Sequence, residues 1–276
     1  MTNGRKRKTT PAKPHGRAGV ARKRAAKAPP APKAVRAATP AESSAARSTR
    51  ARQIVKRLRR LYEDADCALR HRSALELLVS TILSAQCTDK RVNMVTPALF
   101  KRYRKTADYA DADPAELEEI IRSTGFYRNK TKSLIGLGRA LTERFNGRVP
   151  DTMDQLVELP GVARKTANVL LGTWFKKNEG FVVDTHIGRL AHRLGLTWRS
   201  RDSKDAVKIE QDLMEVFPKK EWAYLGHALI WHGRRVCAAR KPDCDACTLA
   251  TLCPSASCAD AKPPSTKTRA TKTRRP

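Results

Sequence analysis

The sequence lacks long apolar runs. No stretch approaches the ~20 residues that a membrane-spanning helix needs, and the N-terminus has no apolar core of the kind found in a secretory signal, so the chain is expected to be soluble, away from membranes and not exported by that route. Aromatic residues are few, at 5 %, and strand-forming runs are nearly absent. The segment FVVD at 181–184 is the only β-like candidate and is too short to make a sheet. Acidic residues are also scarce: 27 Asp and Glu stand against 56 Lys and Arg, a formal net charge of +29. Such an excess disfavours a cationic partner and suits a polyanionic one.

The imbalance is greatest at the ends. Residues 1–50 hold 14 Lys and Arg against one acid, Glu42, among Ala, Pro, Ser and Thr, with no aromatic residue. Residues 259–276 carry six Lys and Arg against one acid. Neither segment can bury enough apolar surface to offset its ordering entropy, so both are expected to be disordered basic tails that add salt-sensitive affinity for phosphates. The first also imitates an organelle transit peptide in being acid-poor and rich in Arg and Ala, although its dense proline opposes the amphipathic helix such peptides form. Between the tails the chain keeps 36 basic against 25 acidic residues.

From about residue 51 to 235 apolar residues recur at three- and four-residue spacing, which predicts an all-α protein of nine or ten helices. Ile54, Val55, Leu58 and Leu61 trace one; Leu75, Leu77, Leu78, Ile82 and Leu83 another; Leu117, Ile120 and Ile121 a third. Others are expected around 134–145, 153–159, 166–175, 187–194, 209–216 and 222–231.

Four of the seven cysteines fall within seventeen residues, in CAARKPDCDACTLATLC. Cys237, Cys244, Cys247 and Cys253 are spaced C-x6-C-x2-C-x5-C. Nothing suggests secretion, so disulfides are not expected. Zinc ribbons usually have two separated C-x2-C knuckles, and only one is present; thiolates flanked by loops of six and five residues can instead wrap a [4Fe-4S] cluster. Cys67, Cys87 and Cys258 read as plain thiols. Arg240 and Lys241 lie in the loop between Cys237 and Cys244, and a loop anchored at both ends by metal would hold them rigidly against the phosphates of a polyanionic partner.

The stretch ELPGVARKTANVLL at 158–171 reads as a hairpin between two helices, with Lys165 just inside the second. A cation there opposes the helix macrodipole, so helix stability does not explain it. The hairpin followed by the C-x6-C-x2-C-x5-C array resembles the endonuclease III family of DNA glycosylases, over essentially residues 51–253.

That resemblance implies a six-helix barrel domain at 67–178, with its helix-hairpin-helix at about 152–175. It also implies an iron-sulfur domain made of 51–66 and 179–258. It implies a bifunctional DNA N-glycosylase and abasic-site lyase of base excision repair, acting as a monomer on oxidised pyrimidines in duplex DNA in a bacterial-type cytoplasm, at the nucleoid. N–H groups around Gly161, Val162, Ala163 and Arg164 would receive a phosphate. Ala163 stands where the family usually has glycine. The helix dipole, Arg164 and partial desolvation would favour a neutral Lys165 amine able to attack C1′ of the damaged nucleotide. Asp184, in VDTHIGRL, is placed to cap the next helix, and by resemblance its carboxylate stabilises the cationic sugar. Gln86, in LSAQCTD, would fill the space left by the flipped base, and Phe126, in TGFYRNK, would act as the wedge. A monofunctional adenine glycosylase of the same superfamily would share the hairpin, aspartate and cluster but typically lack the lysine and carry a further C-terminal domain, whereas only eighteen residues follow Cys258. A non-enzymatic DNA-binding module would have no use for Lys165 together with Asp184.

Overall fold

The structure, a computed structural model, describes Met1 and residues 42–256. Most of the first tail, the whole of the second, and Cys258 lie outside the described residues. Within them the chain is helical, with no strand. In order come α1 (Ser44–Leu61), α2 (Ala74–Leu83), α3 (Asp89–Arg102), α4 (Thr106–Ala110), α5 (Pro114–Ile121), α6 (Tyr127–Phe145), α7 (Met153–Val157), α8 (Arg164–Thr173), α9 (Thr185–Arg193), α10 (Ala206–Val216) and α11 (Trp222–Arg235), with short 3₁₀ turns at Arg122–Thr124, Lys219–Glu221 and Ala250–Leu252. None of these helices is long and apolar enough to cross a membrane.

Side-chain caps set many of the starts. Ser73, Thr88, Asp113, Asp184 and Asp205 each accept a hydrogen bond from a backbone N–H in the first turn of α2, α3, α5, α9 and α10. Helices α3 and α4 were not among those predicted. Pro97 sits inside α3, where it removes a backbone donor and opposes helix formation. The helix forms nonetheless, because Val92, Val95 and Leu99 bury on one side. Asn93 also ties it to the preceding loop, donating from Nδ2 to the Ala68 carbonyl at 2.8 Å and accepting from the Arg70 N–H at 2.9 Å.

The inner edge of the expected N-terminal tail needs correction, since residues 44–50 are helical. Ser43 caps α1, and the Arg50 guanidinium bonds Glu42 and the carbonyls of Leu194 and Gly195. Composition alone reads these cations as solvated; defined acceptors elsewhere in the fold order them.

Buried apolar side chains form two clusters. One draws on residues 69–171 and is enclosed by α2 to α8. The other draws on residues 51–62 and 181–249, from α1, α9, α10 and α11. The run FVVD belongs to the second without becoming a strand: Phe181 and Val183 are buried, while Val182 faces a cleft between α8 and α11.

Candidate active site

That cleft has a volume of about 340 Å³, and Gln86, Lys165, Asp184, Asp66, Trp231 and Arg234 are among the residues lining it. Three residues singled out from separate parts of the sequence therefore share one cavity. Lys165 is the second residue of α8 and is exposed. Its amine forms no hydrogen bond or ion pair among the described residues. The Arg164 guanidinium lies 3.3 Å from Glu210 Oε1. The expected desolvation of Lys165 is thus absent in the free protein, and Arg164 is not an unpaired neighbouring cation. The dipole of α8 remains.

Asp184 is half-buried and caps α9, its Oδ1 accepting from the Ile187 N–H at 2.8 Å. That bond fixes the carboxylate at the cavity wall and leaves its second oxygen for other work.

The hairpin runs from α7 to α8. Gly161 has φ +79°, in the left-handed region, and a Cβ there would lie 2.8 Å from the Ser133 Cβ on α6. Both backbone and packing require glycine. Val162 does not offer the free donor expected of it: its side chain is buried and its N–H donates to the Leu159 carbonyl at 3.1 Å, closing the turn. Ala163 adopts φ −87° and ψ 165°, an extended conformation open to any L-residue, so alanine in place of glycine does not restrict the turn. Helices α2, α3 and α5 each have both a capping side chain and an acid in the first turn; α8 has neither. Its first N–H groups are left for an external anion. Gly161→Ala is expected to destabilise the fold by about 1–3 kcal/mol and to weaken duplex binding; denaturant unfolding and a titration with undamaged DNA check both.

Gln86 and Phe126 are both exposed, and both hold left-handed backbones, φ 53° and 48°. Phe126 is 63 % exposed and so is not packed in either core. Strain of this kind in non-glycine residues collects where a side chain must project for a purpose.

The four cysteines line a second cavity of about 50 Å³. Among the described residues no three His, Cys, Asp or Glu side chains converge on a position for one ion, while all four cysteines line the same cavity. Donors approach them. Arg193 donates to Cys237 Sγ at 3.1 Å, and His232 Nε2 lies 3.5 Å from Cys247 Sγ, with the Tyr62 hydroxyl 3.1 Å from Nδ1. Burial holds the His232 imidazole neutral, its pKa pushed down to about 4, and the ring bridges the Tyr62 hydroxyl and the Cys247 sulfur. Burial also pushes the Cys247 thiol up to about 11, so a thiolate there needs a positive partner. A polyatomic metal-sulfur group meets both conditions.

Sequence reasoning missed what holds the Cys237–Cys244 loop. Arg193 donates to the carbonyls of Ala238 at 2.7 Å and Ala239 at 2.9 Å, and Arg189 to Cys237 O at 3.0 Å and Gly233 O at 2.9 Å. The signal was present: two arginines four apart share one helix face. Arg240 and Lys241 are exposed on the loop so held, Lys241 at φ 52°. Just before the loop, Arg234 pairs with Asp89 at 2.8 Å, and Arg235 stacks on Trp231, 4.2 Å from the ring centroid.

Comparison with known proteins agrees with this geometry. Residues 79–219 match the family described as HhH-GPD superfamily base excision DNA repair protein. The chain is 51 % identical to endonuclease III of Synechocystis sp. over 212 residues, which is 77 % of this chain and 95 % of that protein. It is 42 % identical to endonuclease III of Bacillus subtilis, over 70 % of this chain and 86 % of that one. A solved endonuclease III–DNA covalent intermediate superposes with a TM-score of 0.70 at 40 % identity, covering 76 % of this chain and 96 % of that one. A thermostable thymine-DNA glycosylase, at 20 % identity and a TM-score of 0.68, shares the fold. The chain belongs to the endonuclease III family, within the HhH-GPD superfamily of base excision DNA repair proteins.

Proposed function

We propose that the 340 Å³ cleft receives a flipped, oxidised pyrimidine, that Lys165 is the nucleophile and that Asp184 is the electrostatic partner of the reaction. DNA glycosylase and abasic-site lyase activity belongs to the family; the residue roles and the lesion class are our reading. The observation that carries it is an uncommitted lysine amine sharing a cavity with a capping carboxylate and a protruding glutamine.

Duplex DNA laid over the hairpin places a phosphate oxygen at the N–H groups of Gly161, Ala163 and the first turn of α8. Phe126 wedges the stack and Gln86 fills the space left by the extruded nucleotide, offsetting the few kcal/mol of lost stacking and pairing. DNA over the cleft excludes water from around the exposed Lys165 amine, whose neutral form is the nucleophile. Its lone pair attacks C1′ as the bond to the base breaks, and the base leaves with one of the two protons of the attacking nitrogen. The Asp184 carboxylate, fixed by the Ile187 N–H, faces the positive charge that develops on the sugar. The nitrogen then expels the sugar ring oxygen from C1′ and passes it the remaining proton, which leaves the imine on Lys165 Nζ. Removal of a C2′ proton then expels the 3′ phosphate, and hydrolysis of the imine frees the amine.

We assign Cys237, Cys244, Cys247 and Cys253 to a [4Fe-4S] cluster, supported by the family and by four sulfurs around one cavity. When bound, it supplies four metal–thiolate links that pin the loop carrying Arg240 and Lys241, which we place against DNA phosphates. In the same reading, α2 to α8 form the barrel and α1 with α9 to α11 the cluster domain, in a monomer working on chromosomal DNA in the cytoplasm. Borohydride reduction with abasic duplex is expected to yield a covalent protein–DNA adduct, and a panel of single-lesion duplexes to show excision of oxidised pyrimidines before purine mismatches. Absence of an adduct from active protein, or release of mismatched adenine alone, would overturn the assignment.

A further inference from the structure

Lys130, on α6, is 5 % exposed and lies within the first core. A buried ammonium is costly, and a methionine of similar length would fill the space without that cost. No carboxylate pairs with it among the described residues. Its Nζ instead donates to two backbone carbonyls, Leu83 O and Thr124 O, each at 2.8 Å.

Those carbonyls end two helices. Leu83 is the last residue of α2, which has no basic residue in its own last turn, and Thr124 closes the 3₁₀ turn Arg122–Thr124. A cation at helix C-termini is favoured by dipole and hydrogen bond together. What leaves these two ends matters more. Three residues beyond Leu83 is Gln86, and two beyond Thr124 is Phe126, both exposed and both in strained left-handed conformations.

We propose that Lys130 is a positioning residue for duplex insertion: by gripping the Leu83 and Thr124 carbonyls on one ammonium it fixes the Gln86 turn against the Phe126 turn, so that both side chains meet the base stack at a set separation. The inference rests on the reading that Gln86 and Phe126 enter the duplex. Lys130 touches no reacting atom, so its loss acts on the step in which a paired base is extruded, and much less on a site that has already lost its base.

The test compares single-turnover excision of one oxidised pyrimidine with cleavage of a preformed abasic site in the same duplex, for the wild type, Lys130→Met, Lys130→Gln, Gln86→Ala and Phe126→Ala, with thermal unfolding measured alongside. For Lys130→Met, excision is expected to fall about 100-fold, as for an ångström-scale misplacement, with abasic cleavage changed far less. Lys130→Gln, which keeps N–H donors without the charge, should recover part of the loss. Lys130→Met should add little in a Phe126→Ala background. Equal loss of both reactions, or normal excision by a folded variant, overturns the inference; if Lys130→Met does not fold, Lys130→Gln is judged by the same comparison. If Gln86→Ala and Phe126→Ala excise normally, the reading of the two turns falls and the inference with it. If they are impaired and Lys130→Met is not, the inference alone falls.

Discussion

Lys165→Gln is expected to abolish the borohydride-trapped adduct and strand cleavage while duplex binding survives. The amide nitrogen of glutamine has no lone pair free to attack carbon, so neither C1′ substitution nor an imine is accessible to it. The fold has little to lose. Lys165 is exposed on the first turn of α8 and engages no partner among the described residues, and removing a cation from a helix N-terminus slightly favours the helix. Binding loses one positive charge, which lowers the slope of log affinity against log salt by about 1 at most. Gel analysis after reduction and a salt titration of binding are sufficient measurements. A persistent adduct in the variant would move the nucleophile to another amine.

Asp184→Asn is expected to lower base excision by about 10²–10³-fold, the size of effect seen when one electrostatic contact to a charged transition state is lost. Asparagine is as good an N-cap as aspartate, so α9 keeps its start and the Ile187 N–H keeps its acceptor. The substitution therefore isolates the charge. Cleavage of a preformed abasic site should fall less, because the cationic sugar of base departure is no longer on its path. Single-turnover rates for the two substrates decide; equal losses would favour a structural or proton-moving role for Asp184.

Periodicity made most of the helices legible, because α2, α5, α6 and α8 to α11 each bury a stripe against a core. It failed at α3, where Pro97 signals a break that packing and the bonds of Asn93 override. It also placed the start of the fold too late, since the partners of Arg50 lie about 145 residues away in sequence. The chemistry of the site was legible because it rests on residue types that local stability does not explain. Lys165 stands against a helix dipole, and four cysteines crowd one short segment. Geometry supplied what spacing could not. The solvent exposure of Lys165, the engaged N–H of Val162, the tolerance of Ala163 and the grip of Arg189 and Arg193 on the cysteine loop all depend on contacts between distant segments.

Helix α9 carries Asp184 at its head and Arg189 and Arg193 toward its tail, so it acts as a ruler about 13 Å long between the cleft and the cysteine loop. One residue inserted or deleted between Thr185 and Arg189 would turn everything beyond it by about 100°, swinging both guanidiniums off the loop while Asp184 stayed in place. The number of residues between Asp184 and Arg193 therefore matters to the loop as much as the identity of those at its ends. Such a change leaves the carbonyls of Gly233, Cys237, Ala238 and Ala239 without the donors that now hold them, so the loop loses its shape while the cap on α9 survives.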